Sequence, residues 1–403
     1  MPNIITDKMT FGGNCITKIN GKNTFVPFAL PNEELEVEIV QEKNDYDIAK
    51  ITKILKASEH RINPPCKYYG ICGGCNMMHI DAEYQKELRK EILKDIFERN
   101  GIQVPEIQVV SGDNYNYRAR FQLNNGGLSE KSSNNIVPLT ECLVAEEPVN
   151  QWLSSVNFES RPQGRCHIFG SEKVVSGGDL NNSKIAVCQE IEQKIENQPK
   201  KKNKNFKQVK KRYSGTCITD QDIITVEILH HNISFNVRGF FQSNLSVLEK
   251  SIKEVCNGLV GESVLDMYAG SGTFSVFLAD YFKNLTLVEH NRDALVFAEQ
   301  NLAGIPHQSF GLSGEKFVQQ NPDVRYDAVV IDPPRSGMEK AVCQWLCRSN
   351  IPQIRSVSCD PATHARDLGF LIKAGYKLER LYLLDFYPNT SHIESLAVLK
   401  KDL

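Results

Sequence analysis

From about residue 245 onward, short apolar β runs alternate with helical segments, the runs falling at 263–267, 285–289, 328–331, 356–359, 381–384 and 396–399. That alternation predicts an open, mainly parallel α/β sheet, because parallel neighbours need a long crossover and a helix is the usual one. Sheets of this kind bind ligands outside the carboxyl ends of their strands. The residues at those ends are therefore the first place to look for chemistry. Asp266-Met-Tyr-Ala-Gly-Ser-Gly-Thr-Phe274 follows the first run and opens a helix, where a glycine turn lets a ligand approach the backbone. A dinucleotide site would want another small residue three positions after Gly272, and Ser275 stands there. Glu289 ends the next run, where a carboxylate can accept hydrogen bonds from both ribose hydroxyls. The glycines and this acid together favour an adenosine-type cofactor without a pyrophosphate. The third run ends in Asp332-Pro-Pro-Arg335, whose prolines cannot continue a ladder and leave Asp332 extended at the sheet edge. The fourth ends in Cys359, followed by Asp360-Pro361, an N-cap and first-turn proline. Asp266, Glu289, Asp332 and Cys359 thus converge on one edge.

The preceding chain has a different texture. At 403 residues two or three domains are expected. Residues 4–56 read as a small β-barrel of short strands broken by Gly and Pro, with period-two alternation in Leu35-Glu-Val-Glu-Ile-Val40. Residues 81–100 carry Tyr84, Leu88, Ile92, Leu93, Ile96 and Phe97 at helical spacing, with Asp81 as N-cap and Gly101 as the stop. Residues 110–240 return to β runs separated by Asn, Gly and Ser. They are interrupted at 199–212, where eight of fourteen residues are basic, which reads as a solvated insertion or an RNA-backbone arm. No apolar run approaches the ~20 residues of a membrane helix and no export signal is visible, which points to the cytoplasm. A net charge of -2 excludes a uniformly basic nucleic-acid binder and leaves local patches open.

Twelve cysteines in a reducing compartment must be core thiols, nucleophiles, or ligands of a metal or cluster. Cys66, Cys72 and Cys75, with Cys142 downstream, supply four thiolates, enough for tetrahedral zinc or a [4Fe-4S] cluster. Zinc ribbons prefer two C-x2-C pairs and only one exists here; radical enzymes use C-x3-C-x2-C, and the first gap here is five. Cys15, Cys166, Cys188, Cys217, Cys256, Cys343 and Cys347 read as ordinary thiols, the last two as a buried i, i+4 pair.

The cysteine cluster, Phe240-Phe-Gln-Ser-Asn244, Asp332-Pro-Pro-Arg-Ser-Gly337, Ser358-Cys-Asp-Pro361 and His392-Ile-Glu394, in this order and behind a TRAM-like barrel, closely resemble the RNA 5-methyluridine (uracil-C5) methyltransferase family. The likeness spans nearly the whole chain and is greatest to the RlmD-like branch acting on 23S ribosomal RNA. It implies a Rossmann-like class I methyltransferase domain (81–109 and 241–403), a barrel (1–58) and a central iron-sulfur domain (59–80 and 110–240). It also implies S-adenosylmethionine held by Gln242, Tyr268, Thr273, Glu289 and Asp332, and a [4Fe-4S] cluster on Cys66, Cys72, Cys75 and Cys142. Cys359 matches the family's nucleophile and Glu394 its base. The chemistry needs both: a thiolate adding at carbon 6 of uracil makes carbon 5 nucleophilic, and a base must then remove the carbon-5 proton. The strand end before a helix N-terminus is expected to favour the Cys359 thiolate.

Two positions depart from the common pattern: Thr273 where Asn is frequent, and Ser313 near a frequent Asp. The Asp-Pro-Pro-Arg tetrapeptide also resembles the motif of amino-group methyltransferases, but Arg335 replaces their aromatic residue. Phe240 and Phe241 are expected to form a platform for a splayed base, and Tyr117-Arg-Ala-Arg120 a basic approach. The implied partner is 23S ribosomal RNA, with transfer RNA as runner-up and a monomer as the working state. A third possibility is an RNA-binding iron-sulfur protein whose methyltransferase fold is inactive.

Overall fold

The computed structural model describes residues 1–177, 184–190 and 222–401. The basic run at 199–212 and Cys217 lie outside them. Among the described residues no helix is long and apolar enough to cross a membrane.

The alternating strands form an eight-stranded sheet in the spatial order His307–Phe310, Asn284–Val288, Ser263–Met267, Ala328–Ile331, Gln353–Ser358, Glu394–Lys400, Lys377–Leu384, Ile107–Val110. The first five are parallel to one another, and Glu394–Lys400 runs antiparallel between its two neighbours. Its central strands are buried on both faces, as a sheet covered by helices on each side requires, although Gln353–Ser358 carries buried Gln, Arg and Ser side chains. The helix Ala82–Arg99 packs against Pro361–Lys373. Asp81 caps it, accepting from the Tyr84 N–H at 2.9 Å, and Gly101 follows it at φ +74°. It buries Leu88, Ile92, Leu93 and Phe97 as its spacing predicts, and also Gln85 and Arg89, which the apolar stripe does not announce.

Residues 3–56 make a five-stranded antiparallel-rich sheet, Asn3–Ile5, Asn14–Ile19, Lys22–Pro27, Glu34–Glu42 and Tyr46–Lys56. Bonds from the Asp7 N–H to the Ile16 carbonyl (2.8 Å) and from the Ile16 N–H to the Lys8 carbonyl (2.9 Å) bring its two edges together into a barrel-like unit. Cys15, Val26, Leu35, Val37 and Ala49 of this unit belong to the same apolar core as Leu88, Phe97, Leu368 and Leu381. Two three-stranded sheets lie between, Arg120–Asn124 with Arg165–Gly170 and Ile185–Gln189, and Val174–Gly177 with Ile223–Ile228 and His231–Asn236. This β-rich stretch also holds a helix, Glu147–Ser155, that its composition does not suggest.

Candidate active site

Strand register determines which side chains meet. Asp266 is the penultimate residue of Ser263–Met267, and its buried carboxylate accepts from the Ser275 hydroxyl at 2.5 Å and keeps its other oxygen without a partner. Ser275, the residue that breaks the dinucleotide pattern, is thus the support of Asp266. Burial pushes the Asp266 carboxyl up to about 7. Tyr268, at φ +67°, turns the chain out of the sheet, and Gly272, at φ +79°, starts the next helix where an added Cβ would lie 3.2 Å from Ala298. Thr273 is the first residue of that helix and is half-buried.

Glu289 is buried and receives the Gly270 N–H at 2.9 Å and the Asn291 N–H at 2.6 Å, one on each oxygen. Each oxygen still has a lone pair for a diol. The Asp332 backbone bonds the Met267 carbonyl at 3.4 Å, and burial pushes its carboxyl up to about 6. The Gln242 carbonyl oxygen is buried without a partner, a vacancy in hydrogen bonding that a ligand's N–H or O–H would fill. Tyr268, His290, Leu312, Ser313 and Pro334 line a cavity of about 970 Å³. The Tyr268 hydroxyl donates to Glu339 at 3.2 Å across it. Ser313 serves as an N-cap, accepting from the Lys316 N–H at 3.3 Å, a task that an aspartate performs equally well.

Cys359 directly follows Gln353–Ser358, and Glu394 opens the antiparallel neighbour, with Ser358 opposite Ser395. The two are therefore cross-strand neighbours at the ligand edge, and Asp332 and Arg335 act electrostatically on both. Burial pushes the Cys359 thiol up, Glu394 and Asp332 add to the effect, and a hydrogen bond and charge from Arg335 oppose it. The expectation that the helix N-terminus would favour the thiolate is overturned. Asp360 takes the helix's first free donors, the Ala362 and Thr363 N–H groups, at 3.1 and 2.9 Å. Glu394 is buried and pushed up to about 8 by that burial and by Asp332, with Arg335 opposing.

Arg335, noted in the sequence only for replacing an aromatic residue, is therefore the cation shared by Cys359 and Glu394. His364 is a second residue that sequence reasoning missed. Buried and held neutral, it pairs with the Ser395 hydroxyl at 2.7 Å and the Ser356 hydroxyl at 3.1 Å, tying the strand of Glu394 to the strand that leads to Cys359.

Cys66, Cys72, Cys75 and Cys142 come together around a pocket of about 130 Å³ with Tyr69 and Arg118. All four are free thiols. Burial, then Cys142 and Cys72, push the Cys75 thiol up to about 12, so the group stays protonated unless a bound metal charge draws the proton off. Among the described residues no three His, Cys, Asp or Glu side chains converge tightly enough for a single metal ion.

Other expectations need correction. Phe240 is 69% exposed, but Phe241 is core, stacked on Phe235 at 3.9 Å, so the platform is one ring and not two. Tyr117 is buried and donates to the Pro388 carbonyl at 2.8 Å. Arg118 lies over Phe121, and Arg120 donates to the Gly239 carbonyl at 2.9 Å, so this segment is packing between elements and not an open basic approach. Cys343 is buried, whereas Cys347 is only partly so.

Residues 82–402 match the tRNA (uracil-5-)-methyltransferase family. The chain belongs to this family. The match takes in every strand of the large sheet and both Cys359 and Glu394. The chain is 36% identical to an RNA methyltransferase of Treponema denticola over 98% of both chains. It is 27% identical to the 23S rRNA (uracil(1939)-C(5))-methyltransferase RlmD of Chromohalobacter salexigens, over 95% of this chain and 86% of that one. Its fold is that of the Pyrococcus abyssi tRNA (uracil-54, C5)-methyltransferase solved with S-adenosyl-L-homocysteine, at a TM-score of 0.71 and 21% identity over 99% of this chain and 100% of the other.

Proposed function

We propose that this methyltransferase transfers a methyl group from S-adenosylmethionine to carbon 5 of a specific uridine in 23S ribosomal RNA, with Cys359 as nucleophile and Glu394 as base. The observation that carries the reading is the cross-strand placement of a thiol and a buried carboxyl beside a common cation, Arg335, at the ligand edge of the sheet. A lone strand-end cysteine would be core filler; one facing a carboxyl pushed to about 8 is a pair built for proton and electron-pair traffic.

Bound S-adenosylmethionine supplies a methyl group on a positively charged sulfur. In this reading Glu289 accepts from its ribose hydroxyls, the orphan side-chain oxygen of Gln242 and the carboxyl of Asp332 take its polar end, and Tyr268 and Thr273 border it. Cys359 adds as thiolate to carbon 6 of uracil, Arg335 favouring the ionised form, and electron density moves to carbon 5. Carbon 5 then takes the methyl group and carries a methyl and a proton together. Glu394 accepts that proton, the carbon 5–carbon 6 double bond re-forms, and Cys359 leaves as thiolate. A base near 8 is strong enough to take the proton and still able to release it to water near neutrality.

The four-cysteine pocket, with four thiols on the wall of one cavity, offers the donor set that a [4Fe-4S] cluster takes. Cys66, Cys72, Cys75 and Cys142 would hold it, and its chemistry there would be to cross-link the 66–75 loop to the segment around Cys142. The division into a barrel (1–58), an iron-sulfur region (59–80 and 110–240) and a catalytic domain (81–109 and 241–403) belongs to the same reading.

Ribosomal RNA is favoured by full-length similarity to proteins named for 23S uridine 1939. Transfer RNA is the second reading, favoured by the full-length structural neighbour that acts on uridine 54. Mapping 5-methyluridine in both RNAs from a strain lacking the gene decides between them: a missing 23S site supports the first, and a missing tRNA site alone replaces it. Cys359→Ala should abolish methylation while S-adenosylhomocysteine still binds, and full activity in that variant would overturn the mechanism.

A further inference from the structure

The catalytic base is delivered by a turn, residues 385–393, that joins Lys377–Leu384 to Glu394–Lys400. The turn is held partly from within, the Thr390 N–H and hydroxyl both donating to the Tyr387 carbonyl, and more extensively by bonds from other segments. Asn389 sits at φ +67°, a conformation that persists in a non-glycine residue where the surroundings fix it. Its N–H donates to the Gln85 side-chain oxygen at 2.8 Å, and its own side chain donates to the Asn114 carbonyl at 2.7 Å. Its carbonyl accepts from the Asn76 and Met77 N–H groups at 3.2 and 3.0 Å.

Two residues on, the contact with Asn76 becomes reciprocal. The Ser391 N–H donates to the Asn76 side-chain oxygen at 2.9 Å, and the Asn76 amide donates to the Ser391 hydroxyl at 3.0 Å. The same amide reaches the Gly12 carbonyl at 3.2 Å. Gly13, next along the barrel turn, lies so near that an added Cβ would come within 2.9 Å of both Asn76 and Ser391. One asparagine therefore joins the barrel, the loop that follows Cys75 and the turn that ends on Glu394.

We propose that Asn76 is a positioning residue for Glu394, acting through Ser391, a role that rests on the reading of Glu394 as the base. The strand of Glu394 pairs with Gln353–Ser358 on one side and Lys377–Leu384 on the other, and the turn leading into it is also held by Asn76. Without that clamp the turn loses a bond to its backbone and one to its side chain three residues before the base. Cys359 is untouched, since no bond of Asn76 reaches its strand. The defect should fall on proton removal and spare thiol addition and cofactor binding.

The readout is the covalent protein–RNA adduct, which accumulates only if addition and methyl transfer outrun proton abstraction. Unmodified 23S ribosomal RNA and S-adenosylmethionine are the probes, denaturing gels report the adduct, and single-turnover and steady-state rates report the chemistry. Asn76→Ala should lower kcat by about tenfold or more, leave the KM for S-adenosylmethionine within about twofold, and raise the adduct from trace to a major species. Ser391→Ala, which leaves the cysteine loop intact, should give the same pattern more weakly, and it carries the test if Asn76→Ala loses iron. Glu394→Gln is the reference. If it turns over normally, the reading of Glu394 as base fails; if it traps adduct while neither Asn76→Ala nor Ser391→Ala does, the positioning role fails and the base stands. Loss of rate without adduct in both variants also overturns the proposal.

Discussion

The electrostatics of the site make a definite statement about pH. Glu394 titrates near 8 and not near the ordinary 4.5, because its burial and Asp332 both disfavour the carboxylate. As a base it is competent only when ionised. With a value of about 8, about one molecule in eleven has the carboxylate at pH 7 and about ten in eleven at pH 9. Ionisation of Glu394 alone should therefore raise kcat/KM for RNA about tenfold between pH 7 and pH 9. The Cys359 thiol, itself pushed above its ordinary 9.0, ionises further across the same range, so the observed rise is steeper than that and continues past pH 9.

Stability runs the other way. The fold favours protonated Glu394, so this contribution is fully present below about 4.5 and is lost as pH climbs through about 8. Arg335 lowers both groups, so Arg335→Gln should move the rising limb to higher pH, because it removes the cation that helps each to ionise. Stopped assays of methyl incorporation from pH 6 to 10 test this. A profile that is flat or falling from pH 7 to 9, or an unmoved limb in Arg335→Gln, would refute the reasoning.

Other outcomes follow from the packing and the thiols. Arg89 and Asp385 form an ion pair at 2.7 Å with side chains 1% and 0% exposed, so Arg89→Met should cost about 3–5 kcal/mol in urea unfolding by stranding a buried carboxylate. Arg89→Met with Asp385→Leu should recover most of that loss, and failure to do so would mean that packing and not charge sets the cost. Gly13→Ala should destabilise by about 1–3 kcal/mol, since its Cβ meets Asn76 and Ser391 at a positive φ, and an unchanged melting curve would show that the barrel turn moves freely. Protein purified without oxygen should hold about four irons per chain and lose them in Cys72→Ser; colourless protein with one zinc would overturn the cluster.

The sheet was legible because its periodicity is local: apolar runs of four or five residues between helical segments need no tertiary information. His307–Phe310 escaped because a run of His, Gln, Ser and Phe has no apolar alternation, and it is a strand only through pairing with Asn284–Val288. Cys359, Glu394, Asp332 and Glu289 were singled out because each stands at a strand end or in a family motif. Arg335 and His364 were not recognised, since their roles depend on which strands lie side by side. Gln85 and Arg89 look like surface residues of a helix, and their partners, Asn389 and Asp385, are some three hundred positions away. The polar approach assigned to Tyr117–Arg120 failed for the opposite reason. Those residues are the right type for RNA, but the neighbouring loops use them up first.

The barrel-like unit and the catalytic sheet share one continuous apolar core. Such a unit cannot swing on a tether to search for RNA; it moves with the catalytic edge as one body. Any group on the barrel surface is then held at a set distance from Cys359, so the spacing between the two is a fixed dimension of the molecule.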